Sequence, residues 1–211
     1  MNNTVIPANW GIWFHATSQL FDAFDDEERM INLGNDGNSG LGHFLARTVE
    51  GAAQYVSHER ERGGRADILV VAVLEANQYA ASTDEFWCTH EALPEEEEDD
   101  PLGLLPPGGM LTRERLMEAG YHSLVIDDID GTGQVMAMFE AANLKVLKRL
   151  SVTQAERMAA WLQETHPHTT EPNALFALME QWCQEDLQPG KRTFKALKQR
   201  YRIPVTAPAP L

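Results

Sequence analysis

The sequence predicts an α+β protein. Apolar runs of strand length recur at residues 11–17, 68–74, 121–127, 134–140 and 144–150. Segments with helical spacing fall between them, at 48–62 and 112–120. After Ser151 the character changes, and three helical segments follow at about 153–165, 173–187 and 191–202. At 211 residues the chain can bury one substantial core, with room for an appendage. The organisation expected is therefore a mixed domain over 1–150 and a helical extension over 151–211.

Each element has a local reason. Gly11 to Thr17 is apolar and rich in aromatics, which suits a strand. Asp22 to Gly42 is polar and glycine-rich and reads as a loop. Val49, Ala52, Ala53 and Val56 share one face of the 48–62 helix, which Gly63-Gly64 stops. Ile68 to Leu74 is continuously apolar, as expected of a strand buried on both faces. Residues 92–110 contain Glu95 to Asp100 and then a Pro/Gly run. Like charges repel and proline cannot hold a regular element, so an acidic mobile insertion is expected there, a solvated loop and not a metal site.

Thr112 suits the N-cap of a short helix that ends at Gly120. Asp128 to Gly133 has the residues of a tight turn, and its acid spacing does not fit a calcium loop. In the extension, Met158, Trp161 and Leu162 form one apolar stripe. Leu175, Leu178, Met179 and Trp182 form a second, and Phe194, Leu197 and Tyr201 a third. Thr206 to Leu211 is a Pro/Ala tail.

Composition narrows the function classes. The net charge of -15 opposes general binding to nucleic acid phosphates. Six of the 17 basic residues, and no acid, lie in 191–202, so only that segment could grip nucleic acid. No apolar stretch approaches the roughly 20 residues that span a bilayer, and no membrane partner is expected. The first residues carry neither a basic nor an apolar leader-like stretch, so no signal peptide is expected. Cys88 and Cys183 are then read as reduced thiols in a cytoplasm. No metal is expected, because His166-x-His168 and Cys88-x-His90 offer only two ligands each. Gly40-x-Gly42 lacks the third glycine and the preceding strand of a dinucleotide fingerprint, and Ser39 lacks a nucleophile-elbow frame.

One constellation remains. His15 closes the first strand, and Gly40-Leu41-Gly42-His43-Phe44 precedes the first helix. A strand histidine can bond a ribose hydroxyl and a carbonyl at once, glycines admit close backbone approach, and an aromatic can stack on a flat ring. The same residues could also be a satisfied buried histidine and a core phenylalanine.

Trp13-Phe14-His15-Ala16-Thr17, the glycine pair and the helix ending Ala52-Ala53-Gln54-Tyr55 together resemble the start of ADP-ribosyltransferase domains of the His-Tyr-acid branch. That start reads roughly His-Gly-Thr, a variable loop, Gly-x-Gly-x-Tyr-Phe-Thr, then a helix ending Ala-x-x-Tyr. Ala119 to Val125 resembles the family's Gly-Tyr-Asp-Gly-Ile/Val segment. Gln134 to Glu140 with Asn143 to Leu147 resembles its last strands, so the likeness runs over about 11–150 in the family's order.

The resemblance implies a split antiparallel β-sheet holding NAD, as substrate, in a central cleft. It places His15 at the ribose-bonding histidine, Phe44 at the tyrosine that stacks on nicotinamide, and Gln134 near the usual glutamate. Ala16, Thr17, Asn38, Ser39, Gly40 and Gly42 become lesser contacts to NAD. Phenylalanine keeps the ring without the hydroxyl, and glutamine cannot act as a base, which argues against poly(ADP-ribose) synthesis. The activity implied is mono-ADP-ribosyl transfer to a macromolecular acceptor, a protein, of the kind made by phage or bacterial effectors. The alternatives are transfer of an RNA 2′-phosphate to NAD, which would need basic residues at the cleft, and a degenerate scaffold that binds a protein partner.

Overall fold

The computed structural model describes residues 5–31, 41–61, 63–83, 86, 108–127, 131 and 133–186. The chain forms two compact units, Met1–Ala159 and Ala160–Leu211. Cys88, most of the acidic insertion and the 191–202 segment lie outside the described residues.

The first unit is built on a seven-stranded sheet. Its strands are β1 (Trp10–Thr17), β2 (His43–Ala46), β3 (Asp67–Leu74), β4 (Gln78–Ala81), β5 (Ser123–Ile126), β6 (Val135–Met138) and β7 (Leu144–Ser151). Their order across the sheet is β4-β5-β6-β2-β1-β3-β7. All pairs are antiparallel except β4 with β5. The helices are α1 (Asp26–Ile31), α2 (Val49–Gln54), α3 (Ser57–Glu61), α4 (Gly108–Glu118), α5 (Val152–Thr165) and α6 (Pro172–Asp186), with a 3₁₀ turn at Ala141–Asn143. The α+β class expected from the sequence is the class observed.

The sheet is nearly divided in two. β1 pairs with β3 over its whole length, from Trp10 opposite Leu74 to Thr17 opposite Asp67. It pairs with β2 only where Phe14 faces Ala46. Beyond that point β1 and β2 no longer form a ladder, and the end of β1 and the start of β2 become the two sides of a gap. β3 is the spine of one half: every residue from Ile68 to Val73 is at most 1 % exposed. The apolar run predicted such a strand, and its burial on both faces is the reason it shows no alternation.

Side-chain alternation gives each face its own core. Trp13, Leu45, Leu69, Val71, Met136 and Met138 cluster on one face. Leu41, Leu124, Ile126, Val135, Ala137 and Phe139 cluster on the other, where Leu116 and Met117 of α4 pack against them. Gly42 stands where the backbones crowd: a Cβ there would meet the Met138 carbonyl oxygen at 2.5 Å.

Several expectations need adjusting. The 48–62 helix is broken into α2 and α3 at Tyr55-Val56, with Thr48 capping α2 through its Oγ1, which accepts the Gly51 N–H at 3.0 Å. α1 lies within the segment read as loop. The Asp25 carboxylate caps it by accepting the Glu27 and Glu28 N–H groups at 2.7 and 3.1 Å. β4 was not anticipated, because Gln78-Tyr79-Ala80-Ala81 is short and weakly apolar.

The second unit contains the end of α5 and α6. Glu171 caps α6, its two oxygens accepting the Asn173 and Ala174 N–H groups at 3.0 and 2.6 Å. Phe176, Met179, Trp182 and Cys183 are its buried residues.

Candidate functional site

The gap between β1 and β2 opens into a cleft of about 220 Å³. That is below the roughly 300 Å³ of the smaller pockets that enclose drug-sized ligands, so it can hold one ring and its neighbouring groups, not a whole dinucleotide. His15 stands on one side and Gly42, His43 and Phe44 on the other. The segment between β1 and α1 supplies an aromatic wall through Phe21 and Phe24.

This wall is held by β7. The Arg149 guanidinium donates to the carbonyl oxygens of Gln19 at 3.1 Å and Phe21 at 2.5 Å, and to Asp67 Oδ2 at 2.9 Å. It also lies 5.7 Å from the Phe21 ring centroid. Thr17 Oγ1 accepts the Gln19 N–H at 3.0 Å and turns the chain back at the end of β1. A segment without regular structure is thus fixed by one arginine and one hydroxyl.

Four rings form a contiguous set. Phe24 lies edge-on to His15 and to His43, with centroids 5.1 Å away in each case, and 5.3 Å from Phe21. His15 Nδ1 lies 2.7 Å from the Phe44 carbonyl oxygen. A carbonyl only accepts, so Nδ1 carries the hydrogen. Burial pushes the His15 pKa down to about 4; the Phe44 bond opposes this, and the charges of His43 and Arg149 add to it. His15 is therefore neutral at pH 7, and Nε2 is an acceptor with no partner among the described residues.

His43 is 8 % exposed. Its Nε2 donates to Asp26 Oδ1 at 3.0 Å, while Asp26 Oδ2 accepts the Ala141 N–H at 3.0 Å. Burial lowers the His43 pKa, against the pull of Asp26 and with the help of Arg29 and Arg113. For Asp26 burial acts upward, but the Ala141 N–H and His43 outweigh it and hold the carboxyl below its ordinary range. The pair is an imidazole lining the cleft with a carboxylate behind it.

The residues singled out from the sequence fall into three groups. His15, Gly42 and Phe44 meet at the cleft. Phe44 does so differently from expectation. It faces Ala137 and, across β6, Leu124, so its ring joins the cluster on the face opposite His15, and its carbonyl is what bonds the imidazole. A stacking role for that ring does not fit this geometry, because strand alternation turns it away.

Gln134 is not a lining residue. Its backbone oxygen accepts the Arg47 N–H at 2.9 Å, and its amide donates to Asp127 Oδ1 at 2.8 Å. It lies beyond the Val135–Ala46 pair, about three strand residues or roughly 10 Å along β2 from Phe44. Ala16 and Thr17 follow His15 on β1 without lining the cleft; Ala16 points to the opposite face and Thr17 serves the turn. Asn38, Ser39 and Gly40 lie outside the described residues.

Sequence reasoning passed over Phe21, Phe24, Asp26, His43 and Arg149. Asp25 followed three residues later by Glu28 is a capping signature that could have revealed α1 and with it Asp26. Arg149, remote in sequence, gives no such signal. Among the described residues no group of three or more His, Cys, Asp or Glu side chains could hold a metal ion, and no helix is long and apolar enough to cross a membrane.

No protein-family model matches the sequence, and no curated protein matches it significantly. Among solved structures, the chain is similar to one from the Mycobacterium tuberculosis MbcT–MbcA toxin–antitoxin complex. The TM-score is 0.44 at 10 % identity, over 72 % of this chain and 90 % of that chain.

Proposed function

We propose that the cleft binds the nicotinamide–ribose end of NAD and that the protein transfers ADP-ribose to a macromolecular acceptor, a protein. The observation that carries this reading is His15. Its Nδ1 is occupied by the Phe44 carbonyl and its ring is neutral at pH 7, which leaves Nε2 to accept a ribose hydroxyl. The histidine is at the end of β1, at the gap in the sheet, where the resemblance to ADP-ribosyltransferase domains expects it. Phe21 and Phe24, in place of the Phe44 ring, offer apolar walls for the nicotinamide.

Bond cleavage at the anomeric carbon passes through an oxocarbenium-like state, as in glycoside hydrolysis. Nicotinamide leaves as a neutral molecule, so strong acid assistance is unnecessary. The cleft's task is to orient the ribose and keep the reacting carbon near its acceptor.

A second reading is favoured by the placement of Gln134 and the Phe44 ring. Both are turned away from His15, which suits a scaffold that binds a protein partner without turnover. Labelled NAD incubated with the protein and a bacterial lysate separates the two. Transfer predicts label in a band that survives denaturation and is lost with His15→Ala. Capture of a partner with neither incorporation nor nicotinamide release would establish the scaffold instead.

A further inference from the structure

If the cleft holds NAD, transfer still needs a group to take the acceptor's proton. Gln134 cannot supply it, and His15 has its Nε2 committed to the ribose in the reading above. The other imidazole of the cleft is His43. It lines the same space as His15, with Phe24 edge-on to both. Asp26 is not a lining residue. It stands behind the ring, held by the Ala141 N–H, and fixes the tautomer in which Nε2 carries the hydrogen. Nδ1 is then a lone pair, with no partner among the described residues.

We propose that His43 is the general base of this cleft, with Asp26 as its positioning residue. The proposal rests on the cleft being an NAD site. As the bond between the anomeric carbon and the nicotinamide nitrogen breaks, its electron pair goes to the ring nitrogen and cancels the pyridinium charge. The acceptor's lone pair forms the new bond to the anomeric carbon. The acceptor's proton passes to His43 Nδ1 and from there to water, so one proton is released per transfer. Water itself can serve as acceptor and gives simple hydrolysis.

The charged and titratable groups facing His43 are Asp26 and Arg29 from α1, Arg113 from α4 and His15 from β1. Asp26 alone among them raises the affinity of His43 for a proton. Its removal therefore has a defined sign. With Asp26→Asn the low-pH limb of the rate profile should move to lower pH, which a carboxylate that merely supported the fold would not cause.

The test measures NAD affinity by calorimetry and nicotinamide release across pH in the full chain, His43→Gln and Asp26→Asn. We expect His43→Gln to bind NAD within about threefold of the parent. Its nicotinamide release should be roughly 10²- to 10⁴-fold slower, the usual range for a lost general base, with no low-pH limb. Should His43→Gln fail to fold, the displaced limb in Asp26→Asn carries the test. Parental release rates in His43→Gln, an unmoved limb in Asp26→Asn, or NAD bound by the parent chain without nicotinamide release would each overturn the base while leaving the NAD site standing. An absence of NAD binding by the parent chain would instead overturn the reading of the cleft and the base with it.

Discussion

β3 and the rim of the cleft lie on either side of β1 and are built on opposite principles. β3 is apolar from Ile68 to Leu74, paired on both edges and closed to solvent as far as Val73. The rim, where β1 leaves β2, holds polar groups in specific hydrogen bonds: His15 to the Phe44 carbonyl, His43 to Asp26, and Asp26 also to the Ala141 N–H. β3 draws stability from packing, which is indifferent to pH. The rim draws order from titratable groups, buried or half-buried, whose protonation can undo it. The sheet thus puts a deeply buried strand on one side of β1 and its polar opening on the other.

The largest effect should come from β3. Leu69 is fully buried beside Trp13 and Val71. Leu69→Ala should destabilise the protein by about 2–5 kcal/mol, read from urea unfolding at pH 7, and by a similar amount at pH 5. A loss below about 1 kcal/mol would show that the two regions do not differ as described.

The rim should show the opposite signature, a smaller effect that depends on pH. In the unfolded chain His15 takes a proton near pH 6.5, whereas in the folded protein it does so only near 4. Between these values the unfolded state binds more protons, so stability falls as pH drops from about 6.5 to 4, by at most about 1.4 kcal/mol per pH unit for this group. Above 6.5 the group contributes no slope. His43, also lowered, adds in the same direction, and Asp26 acts at lower pH, below its unfolded value of 3.8. Urea unfolding at pH 7.5, 6 and 4.5 checks this: the slope should be present in the parent chain and weaker in His15→Ala. An equal slope in both would show that His15 titrates normally.

The same contrast explains what could be read in the sequence. β3 was legible because a continuous apolar run needs no distant partner to be recognised. His15 was legible as a polar residue closing an aromatic strand. The cleft's other members depend on three-dimensional accidents of register. Whether the Phe44 ring faced His15 depended on a one-residue phase along β2, which sequence likeness does not fix. The place of His43 in the cleft lining follows from that same phase, and its bond from Asp26 in a helix hidden in a polar, glycine-rich stretch. Arg149 reaches the aromatic wall from 128 residues away. Fold class came from local pattern, whereas the set of side chains that line the cleft came from pairing.

The central claim is that the rim at His15 is a binding site for NAD, and calorimetric titration of NAD into the parent chain, His15→Ala and His122→Ala tests it most directly. His122 lies just before β5, outside the cleft lining. The account predicts saturable binding by the parent chain and by His122→Ala with matching affinity. In His15→Ala affinity should weaken by about 1–3 kcal/mol, roughly five- to 150-fold in Kd, the cost of a buried polar partner removed. Equal affinities in all three proteins, or no heat with the parent chain, would contradict it.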